Sequence, residues 1–176
     1  YATIGGGQNN LIDDSLHGTV AGGHSNQVVN ANTGTVSGGV YNDVYAESGV
    51  ISGGSTNNLL SFAEGSAISG GDQNRIDSKL SVISGGAENI IHPPWTNNDV
   101  WANHPEQPDS SYSSITGGVL NTILGKFSSI VGGHESKILD WNDGSIWGQN
   151  YAYPQSGREV GCNNSIIVGA GNAAAD

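Results

Sequence analysis

The feature that most constrains this chain is an eleven-residue phrase that returns at nearly constant spacing. It stands as Val50-Ile51-Ser52-Gly53-Gly54-Ser55-Thr56-Asn57-Asn58-Leu59-Leu60: apolar, small, a glycine pair, two variable residues, Asn, one variable residue, apolar. Copies run at Ile68–Ile76, Ile83–Ile91 and Ile115–Ile123, and altered copies fill most of the rest. Taking the first apolar residue as a marker gives Ile4, Val20, Val36, Ile51, Ile68, Ile83, Ile115, Ile130 and Ile167, at gaps of 16, 16, 15, 17, 15, 32, 15 and 37. A period this short excludes a helical hairpin or a strand–helix unit as the repeat. It fits one turn of a narrow parallel β-solenoid with two short strands per coil.

Alternation along each strand assigns the facing. In Thr35-Val36-Ser37 the valine points inward and its neighbours outward; in Asn42-Asp43-Val44 the outer two point inward and Asp43 outward. The glycine pair fits the corner between the strands, where a positive φ or close backbone approach leaves no room for a side chain. The other corner is polar and variable in length. Stacking puts like on like, so two apolar ladders form the core: the markers, and Ile12, Val28, Val44, Leu59, Ile76, Ile91, Ile123 and Ile138. Between them runs an Asn ladder of Asn10, Asn26, Asn42, Asn57, Asn74, Asn89 and Asn121, with Ser136 as a substitute. Inward amides need partners, which neighbouring Asn side chains and corner backbone groups supply.

The two long gaps admit two further, degenerate copies. Val100-Trp101-Ala102-Asn103 stands one period after Ile83 and one period before Ile115; Ile146-Trp147-Gly148-Gln149 stands one period after Ile130. The resulting expectation is an all-β, single-domain solenoid spanning Tyr1–Asp176. It would have about eleven coils, each of roughly 15–17 residues. The degenerate, Trp- and Pro-bearing coils are expected at about 92–112 and 139–164. Tyr1 opens inside a repeat and neither end carries a recognisable cap, so processing, a longer chain, or stacking on another subunit is expected.

Composition narrows the function classes. The net charge of −11 with only five Lys and Arg argues against nucleic acid and anionic membrane as partners, since both need basic patches. No apolar run is long enough to insert in a membrane as a helix. The hydrophobic share of 35% is low enough to suggest disorder, but a disordered chain has no reason to keep a register. Cys162 is the single cysteine, so an internal disulfide is excluded. Ser occurs at repeat positions, outside any nucleophile motif, and no catalytic residues are assigned.

The inward pairs around x-V-x-G and N-x-V resemble the repeat of ryegrass-type ice-recrystallisation-inhibiting proteins. The N-x-I strand followed by S-x-I-x-G is similar to the head repeats of trimeric autotransporter adhesins. Both families are left-handed parallel β-rolls, so the resemblance, which covers nearly the whole chain, implies that architecture. This sequence departs from both in its doubled glycine, its longer coils and its Trp-bearing segments. Fold does not imply function.

All four Trp and all five Pro lie in or beside the degenerate copies. Trp95 and Trp101 are six residues apart, as are Trp141 and Trp147, and Tyr112, Tyr151 and Tyr153 belong to the same segments. Three readings stand together for this aromatic patch. The rings cover the loops that replace missing strands, contact another subunit, or bind a surface glycan, since Trp and Tyr offer large rigid faces with a polar tip. No metal site is expected, because His24 and His134 share a repeat position many coils apart. The G-G-x-x-N phrase also lacks the recurring Asp of calcium-binding repeats, and no cofactor is expected.

The functional expectation is a non-enzymatic structural or interaction protein: a segment of an extracellular or cell-surface fibre, appendage or adhesin. It would assemble with itself, head to tail or as a trimer. The alternatives are an ice-binding protein using the flat outward Thr/Ser ladder around Thr19 and Thr35, and a glycan-binding module using the Trp-bearing copies.

Overall fold

The computed structural model describes residues 1–92, 112–124 and 127–138, and the backbone of 166–167. Among these it holds seventeen strands of two or three residues, from β1 (Thr3–Ile4) to β17 (Ile166–Ile167), in two parallel sheets. The odd-numbered strands form a nine-stranded sheet and the even-numbered strands an eight-stranded one, each in strict chain order. This is the expected parallel β-solenoid. Each coil contributes one strand to each sheet, and like residues pair: Thr19↔Thr35, Val20↔Val36, Val44↔Leu59, Ile76↔Ile91.

The facing follows the alternation. The markers from Val20 to Ile130 are fully buried, as are Val28, Val44, Leu59, Ile76, Ile91 and Ile123 from the second strand. Thr35, Val50 and Asp43 lie outward, half-buried or exposed. Each such buried aliphatic side chain contributes about 2 kcal/mol by leaving water. The core is also wider than two ladders. A column of small residues closes the second corner from inside: Gly18, Gly34 and Gly49 in the early coils, then the buried Ser66, Ser81, Ser113 and Ser128. A Cβ on Gly34 would stand 2.8 Å from Val28 Cγ1 and 2.9 Å from Ala31 Cβ, so nothing large fits.

The rung count corrects the sequence expectation. β11 (Val82–Ile83) pairs directly with β13 (Ser114–Ile115), and β15 (Ser129–Ile130) directly with β17. The first sheet therefore has nine rungs, and no further strand lies between these neighbours where the degenerate copies were expected. Those copies, with Val100–Asn103 and Ile146–Gln149, lie outside the described residues. What these segments lack is the glycine corner that joins the two strands of a complete coil. In every described coil but the last, the second glycine of the pair has φ between +88° and +94°. A Cβ there would collide with the carbonyl oxygen of the next coil's glycine. Asn103 and Gln149 would have to occupy that position, and Glu106 and Ala152 the position of the ladder Asn. An apolar marker at the right spacing is not sufficient for a rung.

Candidate interaction surfaces

The Asn ladder is built as its residues require. Asn42, fully buried, donates from Nδ2 to the carbonyls of Gly38 in its own coil and Gly54 in the next, both at 3.0 Å. Its Oδ1 accepts from the backbone N–H of Asn57 at 3.0 Å and from Asn57 Nδ2 at 3.1 Å. Its own N–H donates to Asn26 Oδ1 at 3.0 Å. One residue thus ties three coils. The backbone-to-amide bond repeats from Asn10 to Asn121 and the amide-to-amide bond from Asn42 onward, and both pass between Asn89 and Asn121, far apart in sequence. It ends at Ser136, whose N–H still donates to Asn121 Oδ1 while its hydroxyl has no hydrogen-bond partner.

A second, unanticipated polar ladder lines the opposite corner. The N–H of Ser81 donates to Ser66 Oγ at 2.9 Å, that of Ser113 to Ser81 Oγ at 3.3 Å, and that of Ser128 to Ser113 Oγ at 3.2 Å. The signal for it was the unbroken small residue before each first strand, which reads as filler until the hydroxyls are seen to stack.

Both long segments, 93–111 and 139–165, fall at that same corner in the chain. One lies between His92 and Tyr112 in the chain, the other between Ile138 and Ile166. The first-sheet strands that follow them are two rungs apart, about 10 Å along the axis. Of the aromatic residues singled out in the sequence, Tyr112 alone is among those described; Trp95, Trp101, Trp141, Trp147, Tyr151 and Tyr153 lie outside them. Tyr112 is exposed, adopts φ +61°, and stacks on Phe127 of the next coil with ring centroids 5.2 Å apart and planes 10° from parallel. Its N–H donates to the Lys79 carbonyl at 3.1 Å, which sets it above Leu80, itself half exposed. Leu80, Tyr112 and Phe127 make an exposed apolar edge at the corner that bears the two segments. Below it Ser48, Glu64, Gly65, Lys79 and Leu80 line an open groove of about 350 Å³, crossed by the Lys79–Glu64 ion pair at 3.1 Å.

The outward faces of the two sheets differ in chemistry. The first presents Thr19, Thr35, Val50, Ala67, Val82, Ser114 and Ser129 in one column and Ala21, Ser37, Ser52, Ser69, Ser84, Thr116 and Val131 in the next. None is charged. The second carries Asp13, Asp43, Arg75, Asp77 and Lys137 among half-buried Val29, Tyr45, Leu60 and Leu124. Burial pushes the Asp43 carboxyl above its usual range, and burial together with the Asp43 charge raises the Tyr45 phenol. Burial raises Asp77 as well, opposed in part by Arg75, 3.7 Å away, and by His92 on the next rung.

The histidines stand apart. His24 meets the edge of Tyr41 at 5.6 Å, and a run of bridged neighbours six rungs long separates it from His134. Among the described residues no group of three or more His, Cys, Asp or Glu is placed to hold a metal ion. No protein-family model matches the chain, and comparison with curated proteins finds no relative.

Proposed function

We propose that this chain is a non-enzymatic structural or interaction protein: a solenoid segment of an extracellular fibre, appendage or adhesin that works as a homo-oligomer at the cell surface. The observation that carries this reading is the continuity of the rod through its interruptions. Two segments, 93–111 and 139–165, enter and leave without shifting a single strand pairing. They hold all four Trp, and both fall at the second corner in the chain. A stiff rod that carries two aromatic-rich segments at one corner of its coils is suited to holding them toward a partner. The likeness to adhesin head repeats agrees with this use, as does the acidic surface, which keeps an exposed rod soluble.

The test is the size and shape of the protein in solution. Sedimentation equilibrium should give a multiple of 18.0 kDa, and electron microscopy should show rods that associate through a repeating contact. A monomer throughout the micromolar range would end the assembly reading.

A second reading, ice binding, is favoured by one observation: the uncharged, small-residue face of the first sheet, with Thr3, Thr19 and Thr35 in register. Against it, threonine gives way to Val50, Ala67 and Val82 in the following rungs. Thermal hysteresis that disappears in Thr19→Tyr/Thr35→Tyr would establish it.

A further inference from the structure

Building on the assembly reading, we propose that the outward face of the first sheet, together with the bare glycine edge beside it, is where a second copy of this chain packs side by side. The repeat serves as its own comparison set. The second glycine of each pair is required by both its φ and the next coil's backbone. The first is not. At Gly6, Gly22, Gly38, Gly53 and Gly117 a Cβ would meet nothing within 4 Å, and the backbone lies outside the left-handed region that favours glycine. An ordinary side chain fits there in every one of these coils, and none carries one. What the missing side chain leaves is an edge whose backbone a flat neighbour can touch.

Charge says which neighbour. The chain carries −11, so two copies repel over most of their surface. Every charged side chain among the described residues stands on the second sheet or at a corner: Asp13, Asp43, Arg75, Asp77 and Lys137 on the sheet, the rest at the bends. The first sheet is therefore the face on which two acidic rods can meet without burying an unpaired charge. It also leaves Val50, Val82 and Val131 exposed at 37%, 39% and 48%, apolar area that a second copy would remove from water.

The dimensions set the strength. Eight rungs at ~4.8 Å by four residues at ~3.3 Å give a footprint of about 500 Å² per copy, or ~1,000 Å² in all. That is below the size of a permanent interface and falls in the size class of weak, transient contacts. Salt should tighten it by screening the acidic repulsion.

The experiment is sedimentation equilibrium of the full chain from about 1 to 500 µM. It would compare the native protein with Ser52→Glu/Ser84→Glu on the first sheet and Asn58→Glu/Thr122→Glu on the second, with circular dichroism confirming each fold. The proposal expects self-association that weakens at least tenfold in the first pair, stays within about threefold in the second, and tightens with salt. Loss confined to the second pair would overturn the face assignment and leave assembly standing. A native protein that stays monomeric would remove both. Gly38→Ala keeps the glycine argument falsifiable on its own: it should fold with an unchanged melting temperature, and unfolding would show that the rod itself needs that glycine.

Discussion

The two corners of each coil obey different rules. From the marker to the ladder Asn the count is six in every described coil: Val36 to Asn42, Ile51 to Asn57, Ile115 to Asn121. From the second inward apolar residue to the next marker it is 8, 8, 7, 9, 7, 24, 7 and 29. All variation in period, and both long segments, fall at the second corner. The difference lies in what the next rung reads. At the glycine corner an amide side chain spans to the neighbouring carbonyl, and a glycine backbone fills the space a Cβ would need. One inserted atom there disturbs two coils. At the second corner the inside is filled by small residues, and the outer loop makes few bonds along the axis, such as Leu80 N–H to the Glu64 carbonyl at 2.9 Å. A loop that the next rung reads so sparsely can grow, because closure entropy rises only with the logarithm of length.

The sharpest way to break this comparison is to place the same methyl group at each corner. Gly54→Ala must resolve a collision with the Gly71 carbonyl at φ +89° and should cost more than about 4 kcal/mol, enough to abolish a cooperative urea transition or move it far to the left. Gly65→Ala, at φ +67° on the second corner, meets a movable Leu80 Cδ2 at 2.9 Å and should cost only about 1–2 kcal/mol. Equal losses would refute the distinction.

Next in size is the ladder. Asn57→Asp keeps the shape but removes the two N–H donors that satisfy the Gly53 and Gly71 carbonyls, and it buries a carboxyl at a fully enclosed site. A loss of about 3–5 kcal/mol is expected from urea denaturation at neutral pH, easing as the carboxyl is protonated in acid. A smaller change comes from the segment at the tolerant corner. Replacing 93–111 by the two residues that fill this place in the preceding coil, Ser78-Lys79, should preserve the fold and add about 1 kcal/mol through the shorter closure. Loss of cooperative folding would mean that the segment is part of the stack.

The smallest effect concerns the second sheet. Burial raises the Asp43 carboxyl above its unfolded value of 3.8, so the folded state holds its proton more tightly than the unfolded chain. Stability at this position is therefore gained as pH falls through the folded value toward the unfolded one, and the burial penalty is present in full at neutral pH. Asp43→Asn should raise the melting temperature at pH 7 by the equivalent of less than about 0.5 kcal/mol, and the gain should vanish near pH 4. A gain that grew on acidification would contradict the sign.

Much of this could be read before the fold was seen. Facing, pairing and the Asn ladder follow from alternation within strands and the recurring phrase along the chain, because stacking forces identical environments on equivalent residues. The rung count was not readable from apolar markers alone. Val100 and Ile146 keep the spacing but are followed by neither the second glycine nor the Asn or Ser that the described two-strand coils carry, and strand pairing passes them by. The serine ladder escaped because a hydroxyl at a small-residue position has the same pattern as alanine or glycine, both of which occupy that corner in other coils. The uncharged face, and the first glycine that five coils do not require, became visible only when each column could be assigned to a side of the rod.

The central claim is that the stack is continuous across its insertions, and one cross-link tests it directly. Val82 and Ser114 are paired outward neighbours on adjacent rungs. Their Cα atoms should be about 4.8 Å apart, within disulfide range; a rung between them would set them near ~9.6 Å, out of range. With Cys162 replaced by Ser, Val82→Cys/Ser114→Cys should oxidise to an intramolecular disulfide in the native state, with an unchanged circular dichroism spectrum. Two free thiols in a folded protein under the same conditions would contradict the account.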